Sequence, residues 1–252
     1  MARIRCQHSH KCTDSPEKKS PFCKKHKDTI PNMKLLSGAE PEYKPSIYNT
    51  SAKLKDNLNC FAYAFDYREL PDSCATNECS ISFPQPGRKS GYPKWSEVDG
   101  KRCPDLIARI FGDIGYNKYM PGIRMSTFTE RPPKGMYKIA MVIDANNDYH
   151  FYRQDNNGYW SHKPGATNVT NIDAEGSLIY NPELASRYYP KSGLEYKEFC
   201  GYMVVHSIFK INKKNRKNNR PIFMLSIGGK RYTKTIKKNR LTRRNTTRHV
   251  CR

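Results

Sequence analysis

The chain has 252 residues, 37% of them apolar, with 17 Tyr, 10 Phe and 2 Trp. That is enough to bury one sizeable core and too much for a chain that stays disordered. The formal net charge is +22, but it is concentrated at one end. No Asp or Glu follows Glu198, and 16 Lys and Arg lie from Lys210 onward, leaving 29 basic against 23 acidic residues before that point. No apolar run approaches the 18 residues of a membrane-spanning helix. The opening MARIRCQHSHKC lacks the apolar stretch of a secretory signal, so the expectation is an intracellular or virion-packaged protein, not one secreted by a signal peptide. The nine cysteines are therefore expected to be mostly reduced, some binding metal.

Residues 1–27 are polar and contain Cys6, Cys12, Cys23 and His26, spaced C-x5-C-x10-C-x2-H. A segment this poor in aliphatic side chains cannot fold by burial. Four borderline or soft ligands would let structural zinc supply the stability. His8 and His10 are possible substitute ligands, and a disordered basic tail with incidental cysteines is the alternative. Phe22-Cys23-Lys24-Lys25-His26 resembles the close of short Cys/Cys/Cys/His modules in proteins of large nucleocytoplasmic DNA viruses. Residues 28–52 show little periodicity and read as a linker or wrapping arm, with the core domain spanning 53–206.

Asn59 to Leu70 reads as an apolar helix with Asn59 as N-cap and Cys60 in its first turn. Free amides and the helix dipole there would stabilise a thiolate. Taken alone, Cys60 reads as a small buried apolar residue; taken with the two histidines, it reads as a nucleophile. Residues 71–102 form a Pro- and Gly-punctuated insertion containing Cys74 and Cys79, to which no role is assigned. Cys103-Pro104-Asp105 opens a helix to about Gly115, its stripe of Leu106, Ile107, Ile110 and Phe111 facing the core.

From Met136 the pattern becomes strand: MYKIAMVI, then Asp148 to Gln154, then Tyr159 to Lys163, and later Phe199 to His206. Asp155-Asn156-Asn157-Gly158 decides whether His150 and His162 meet. A two-residue loop puts them on opposite faces. A three-residue loop closed by a left-handed Gly158 pairs Asp155 with Tyr159 and Tyr152 with His162, making the two histidines diagonal neighbours on one face. Asn181 to Ala185 is a candidate short helix, and Pro221 to Ile227 a candidate last strand.

The blocks NCFAYAF, YHFYRQDNNGYWSHKPG and FCGYM resemble an uncharacterised papain-like group, nearest to the NlpC-like cell-wall endopeptidases and amidases. The resemblance implies an α+β fold, a papain-like or NlpC-like helix packed on an antiparallel sheet, here with extended N- and C-terminal arms. It also implies Cys60 as nucleophile, His150 as general base and His162 as the group orienting His150. In that mechanism a Cys60 thiolate paired with protonated His150 attacks an amide or ester, with Asn57 or Asn59 at the oxyanion. Asn-Cys stands where that family usually has Asp-Cys or Ser-Cys.

Residues 207–252 form a basic arm. Lys213, Lys214, Arg216, Lys217, Lys237, Lys238, Arg240, Arg243 and Arg244 are candidate contacts for a polyanion, either nucleic acid or an acidic protein surface, and a solvated, partner-free tail is the alternative. Two functions follow: a thiol peptidase or amidase, or a non-catalytic structural (minor capsid-like) or nucleic-acid-associated protein of a large DNA virus, with capsid proteins as partners.

Overall fold

The computed structural model describes residues 5–68, 70, 85–87, 90–98, 101–115, 123–145 and 147–206. The candidate polyanion contacts Lys213, Lys214, Arg216, Lys217, Lys237, Lys238, Arg240, Arg243 and Arg244, the 221–227 strand, and Cys74 and Cys79 lie outside the described residues.

Among the described residues seven strands and four α-helices follow in chain order: α1 Ser46–Asn49, α2 Ala52–Asn57, α3 Cys60–Ala64, α4 Cys103–Ile110, β1 Arg124–Ser126, β2 Met136–Asp144, β3 Asp148–Gln154, β4 Trp160–His162, β5 Tyr188–Tyr189, β6 Leu194–Glu195 and β7 Glu198–His206. Five strands make one antiparallel sheet in the order β1-β7-β2-β3-β4, and β5 and β6 pair separately. The class is α+β, with short helices against a mostly antiparallel sheet.

β2 reads as a near-continuous apolar run because both of its faces are covered. Ile139, Met141 and Ile143 share one core with α3, α4 and Phe151. Ala140 and Val142 face a second core with Tyr152, Trp160 and Tyr202. Lys138 falls inside this run and is fully buried; its ammonium donates to the carbonyls of Phe128 (2.6 Å) and Glu130 (3.0 Å).

The β3–β4 turn has the three-residue form. Tyr152 pairs with His162, Asp155 N–H donates to Tyr159 O, and Gly158 has φ +83°. β2 and β7 carry a bulge: Met141 pairs with Gly201 and Val142 with Phe199, so Cys200 is the extra residue. Cys200 forms a disulfide with Cys103 at the start of α4, with Cα atoms 5.0 Å apart. Among the described residues Cys6, Cys12, Cys23 and Cys60 are free; Cys103 and Cys200 depart from the expected reduced state because the bulge and the α4 terminus bring together two cysteines 97 residues apart.

α3 is shorter than expected, five residues instead of a run to Leu70. Asp66 adopts φ +52° and the chain closes in a Schellman motif, Asp66 N–H donating to Tyr63 O and Tyr67 N–H to Ala62 O. Asp66 occupies the position glycine usually takes, and its carboxylate accepts from Arg68 (2.7 Å) and Arg153 (3.5 Å). Asn181 to Ala185 forms a single turn, Ala185 N–H donating to Asn181 O, not a helix.

The 28–52 segment wraps the sheet. Asn156 N–H donates to Pro41 O, Ser37 Oγ to Met136 O, and Val169 N–H to Asn49 Oδ1. Tyr48 is buried in the α3-side core, so core packing begins before residue 53.

Candidate functional site: a Cys-His-His cleft and a Cys/His cluster

Cys60 opens α3 because Asn59 caps it, Asn59 Oδ1 accepting from Ala62 N–H at 3.1 Å. The helix is held against β3 by Arg153. Its guanidinium donates to Tyr63 Oη (2.8 Å) and Tyr63 O (3.5 Å), pairs with Asp155 (3.0 Å) and Asp66 (3.5 Å), and lies 4.0 Å from the Tyr63 ring centroid. Tyr63 Oη also shares a 2.6 Å hydrogen bond with Ser161 of β4. α3, β3 and β4 are thus locked together one turn from Cys60.

β4 pairs with β3 only as far as Tyr152, so the edge of β3 is bare of β4 at Tyr149 and His150. The Cys60 thiol fills that gap and donates to Tyr149 O at 3.9 Å, against the peptide that leads into His150. Around it lies a cleft of about 550 Å³. Cys60 and His150 line it, with Asn59, Trp95, Asp148 and Tyr196 among its other walls.

His150 Nε2 lies 2.7 Å from His162 Nδ1, and His162 Nε2 lies 3.0 Å from Ile172 O. A carbonyl only accepts, so His162 carries its proton on Nε2 and its Nδ1 is the acceptor. His150 then donates from Nε2 and keeps its lone pair on Nδ1. The chain from Ile172 through His162 therefore selects the His150 tautomer.

Burial dominates the electrostatics. Cys60, His150 and His162 are 5%, 3% and 1% exposed. Burial, with a smaller contribution from Asp148, raises the Cys60 thiol well above its ordinary range. Burial and then the neighbouring His162 hold His150 well below the usual imidazole range, and burial brings His162 down to about 4. Both shifts favour the uncharged forms, thiol and imidazole, and burial is the leading cause of each.

Of the two oxyanion candidates, Asn59 lines the cleft and Asn57 does not; Asn57 Nδ2 donates to Lys53 O at 2.9 Å along its own helix. Sequence reasoning did not anticipate Tyr196, whose hydroxyl donates to Asp148 Oδ2 (2.8 Å) and whose ring lies 5.4 Å from that of His150. It follows the short β5–β6 hairpin, too brief to leave a pattern. Lys163 was also unassigned; its buried ammonium donates to Lys55 O and Gly165 O, and burial lowers it to about 8.

The second cluster is Cys6, Cys12, Cys23 and His26, whose ligand atoms all lie within 4.8 Å of one another and could hold a metal ion. His26 Nδ1 is 3.5, 3.5 and 3.3 Å from the thiols of Cys6, Cys12 and Cys23, and the thiols of Cys12 and Cys23 are 3.6 Å apart. His8 and His10 do not join. His8 stacks on His26 with centroids 3.9 Å apart, and His10 pairs with Glu183 at 3.1 Å. Among the described residues, no helix is long and apolar enough to cross a membrane.

The chain matches no protein-family model and no solved structure. It is 31% identical over 172 residues to insoluble matrix shell protein 1 of Ruditapes philippinarum, an alignment covering 68% of this chain and 93% of that protein. The chain therefore belongs to the family of insoluble matrix shell protein 1.

Proposed function

We infer that this chain is a thiol-dependent amidase or peptidase on a papain-like scaffold, with Cys60 as nucleophile, His150 as general base and His162 as the group that orients it. The observation that carries the reading is the directional chain Ile172 O, His162, His150, beside a thiol in the same cleft. His150 lines that cleft, and the relay leaves its Nδ1 without a proton and able to act as a base.

Because the uncharged forms are favoured, the proton moves during attack. The Cys60 sulfur forms a bond to the carbonyl carbon as its proton passes to His150 Nδ1. His162 Nδ1 accepts the hydrogen bond from the charged ring. The C–N bond then breaks, the amine leaves with that proton, and water releases the acid from the thioester by the reverse relay. Asn59 is the candidate oxyanion donor.

Zinc is the ion we assign to the Cys6, Cys12, Cys23 and His26 cluster. Tetrahedral ligands at about 2.3 Å for sulfur and about 2.0–2.1 Å for nitrogen lie roughly 3.5–3.8 Å apart. The separations of His26 from the three thiols and of Cys12 from Cys23, 3.3 to 3.6 Å, are close to that cage, and all four ligand atoms lie within 4.8 Å of one another. Four ligands complete the shell, so the role is structural.

A structural reading is favoured by a different observation: the relative is named for an insoluble shell matrix. With the Cys103–Cys200 disulfide, that supports a working place outside the reducing cytosol, in an assembly. The basic arm would meet anionic partners there, whether an acidic protein surface or nucleic acid.

One experiment separates the two. The zinc-loaded full chain is treated with a limiting electrophilic peptide-like probe, and the modified residue is mapped, with His150→Ala in parallel. The catalytic reading expects Cys60 to label at least about tenfold faster than the variant's Cys60. Labelling no faster than at Cys12, or indifferent to His150→Ala, sinks it and leaves the structural reading.

A further inference from the structure

We propose that Gln7 is a positioning residue that links the Cys/His metal cluster to the His162–His150 relay. Its catalytic meaning rests on the thiol-hydrolase reading; the coupling itself does not.

Gln7 follows Cys6 directly and is 2% exposed, yet its amide is used from both ends. Oε1 accepts from the backbone N–H of Tyr180 (2.7 Å) and Asn181 (3.0 Å). Nε2 donates to Leu178 O (3.2 Å) and Asp173 Oδ2 (3.3 Å). Those partners surround one residue. Asp173 follows Ile172, and Leu178 is the residue Ile172 faces across an antiparallel bridge. Ile172 supplies the carbonyl that fixes the His162 tautomer.

The 170–179 segment is itself a short hairpin, Ile179 N–H donating to Asn171 O and Asp173 N–H to Ser177 O. It is a short excursion tied to β4 by the Trp160–Ile179 and His162–Thr170 bridges. On its outer side it meets the metal module through Gln7 and through Phe22 packed edge-on against Tyr180 at 4.9 Å. The module around Gln7 buries Cys6, Phe22 and Cys23, with Cys12 and Tyr180 packed against them, a cluster too small to hold shape by burial. Metal binding at Cys6 therefore holds Gln7, Gln7 holds both strands of the Ile172–Leu178 bridge, and Ile172 O holds His162. Losing the ion frees the amide and lets the carbonyl drift, leaving His162 free to exchange tautomers and His150 without a defined partner.

The test uses the full chain and reads no hydrolysis, so it stands or falls separately from the enzyme assignment. Backbone hydrogen exchange and the imidazole nitrogen NMR signals of His162 are recorded zinc-loaded, after chelation, and after zinc is returned, for wild type, Gln7→Ala and Gln7→Glu. In zinc-loaded wild type His162 shows a single Nε2–H tautomer. Chelation is expected to speed exchange at the Tyr180, Asn181 and Ile179 amides at least about tenfold and to mix the tautomers, and returned zinc reverses both. Gln7→Ala keeps its zinc but shows the loosened pattern with or without it. Gln7→Glu, which keeps the acceptor and loses the donor beside Asp173, shifts the same way. Unchanged His162 signals after chelation overturn the link, and this arm decides by itself if the variants do not fold. Gln7→Ala that behaves as wild type, or that sheds its zinc, overturns the role of Gln7.

Discussion

His150 Nε2 and His162 Nδ1 stand 2.7 Å apart with their rings perpendicular, and neither ring is more than 3% exposed. Two stacked imidazoles would compete for one proton. This edge-on pair instead passes a hydrogen bond in one direction, because the far nitrogen of His162 is committed to Ile172 O.

The pair should make the fold acid-sensitive. His162 is depressed from 6.5 to about 4, so the unfolded chain binds its proton first as pH falls. The stability it contributes is complete above pH 6.5 and is lost as pH falls toward 4, by up to about 3 kcal/mol. Urea titrations at stepped pH should show this decline. His162→Gln should flatten it relative to wild type; parallel curves would mean the acid limb belongs to other groups.

Arg153→Met should cost about 3–5 kcal/mol, because it leaves the buried Asp155 carboxylate without its cation and takes from Asp66 one of the two it shares with Arg68. The same change frees the C-terminal turn of α3, so Cys60 should become more accessible to small alkylating reagents. A loss under 1 kcal/mol by denaturant midpoint, about the worth of an exposed pair, would mean the network is dispensable.

Gly158→Ala is expected to be destabilising for two separable reasons. The residue has φ +83°, and an added Cβ would lie 2.4 Å from Pro31 Cβ. Backbone strain and overpacking together should cost about 2–4 kcal/mol. Adding Pro31→Gly removes the clash and leaves the strain. A double-mutant cycle should therefore show recovery of part of the loss, and strict additivity would refute the contact.

Reduction of Cys103–Cys200 should lower stability by about 2–4 kcal/mol, since the bond closes a loop across a separation of 97 residues. Cys103→Ala with Cys200→Ala should match the reduced protein in a thermal melt. Peptide mapping without reductant should recover the two cysteines as one linked species, and finding both free would contradict the pairing.

Local chemistry made some of this architecture readable. In Asp155-Asn156-Asn157-Gly158 the glycine sits at the one position where a three-residue turn needs positive φ, and that turn places both histidines on one face. Asn59 ahead of an apolar run marked the start of α3, and ligand chemistry marked Cys6, Cys12, Cys23 and His26 as a group. The end of α3 escaped this reasoning, because Asp66 takes a left-handed position in order to pair with Arg153, 87 residues away.

What the sequence by itself determined is therefore the turns, caps and strand periods, where each residue's own backbone preference and its near neighbours set the outcome. Only the tertiary structure decided the pairing of Cys103 with Cys200, the placing of Tyr196 in the cleft wall, and the bridge that sets Ile172 beside Leu178, the Gln7 partner, with its carbonyl on His162. It also decided the charge state of the site. Cys60 and His150 are ordinary titrating groups in an extended chain. Burial on both sides of the sheet removes their water, and the cost of charging either without it favours the uncharged form of each.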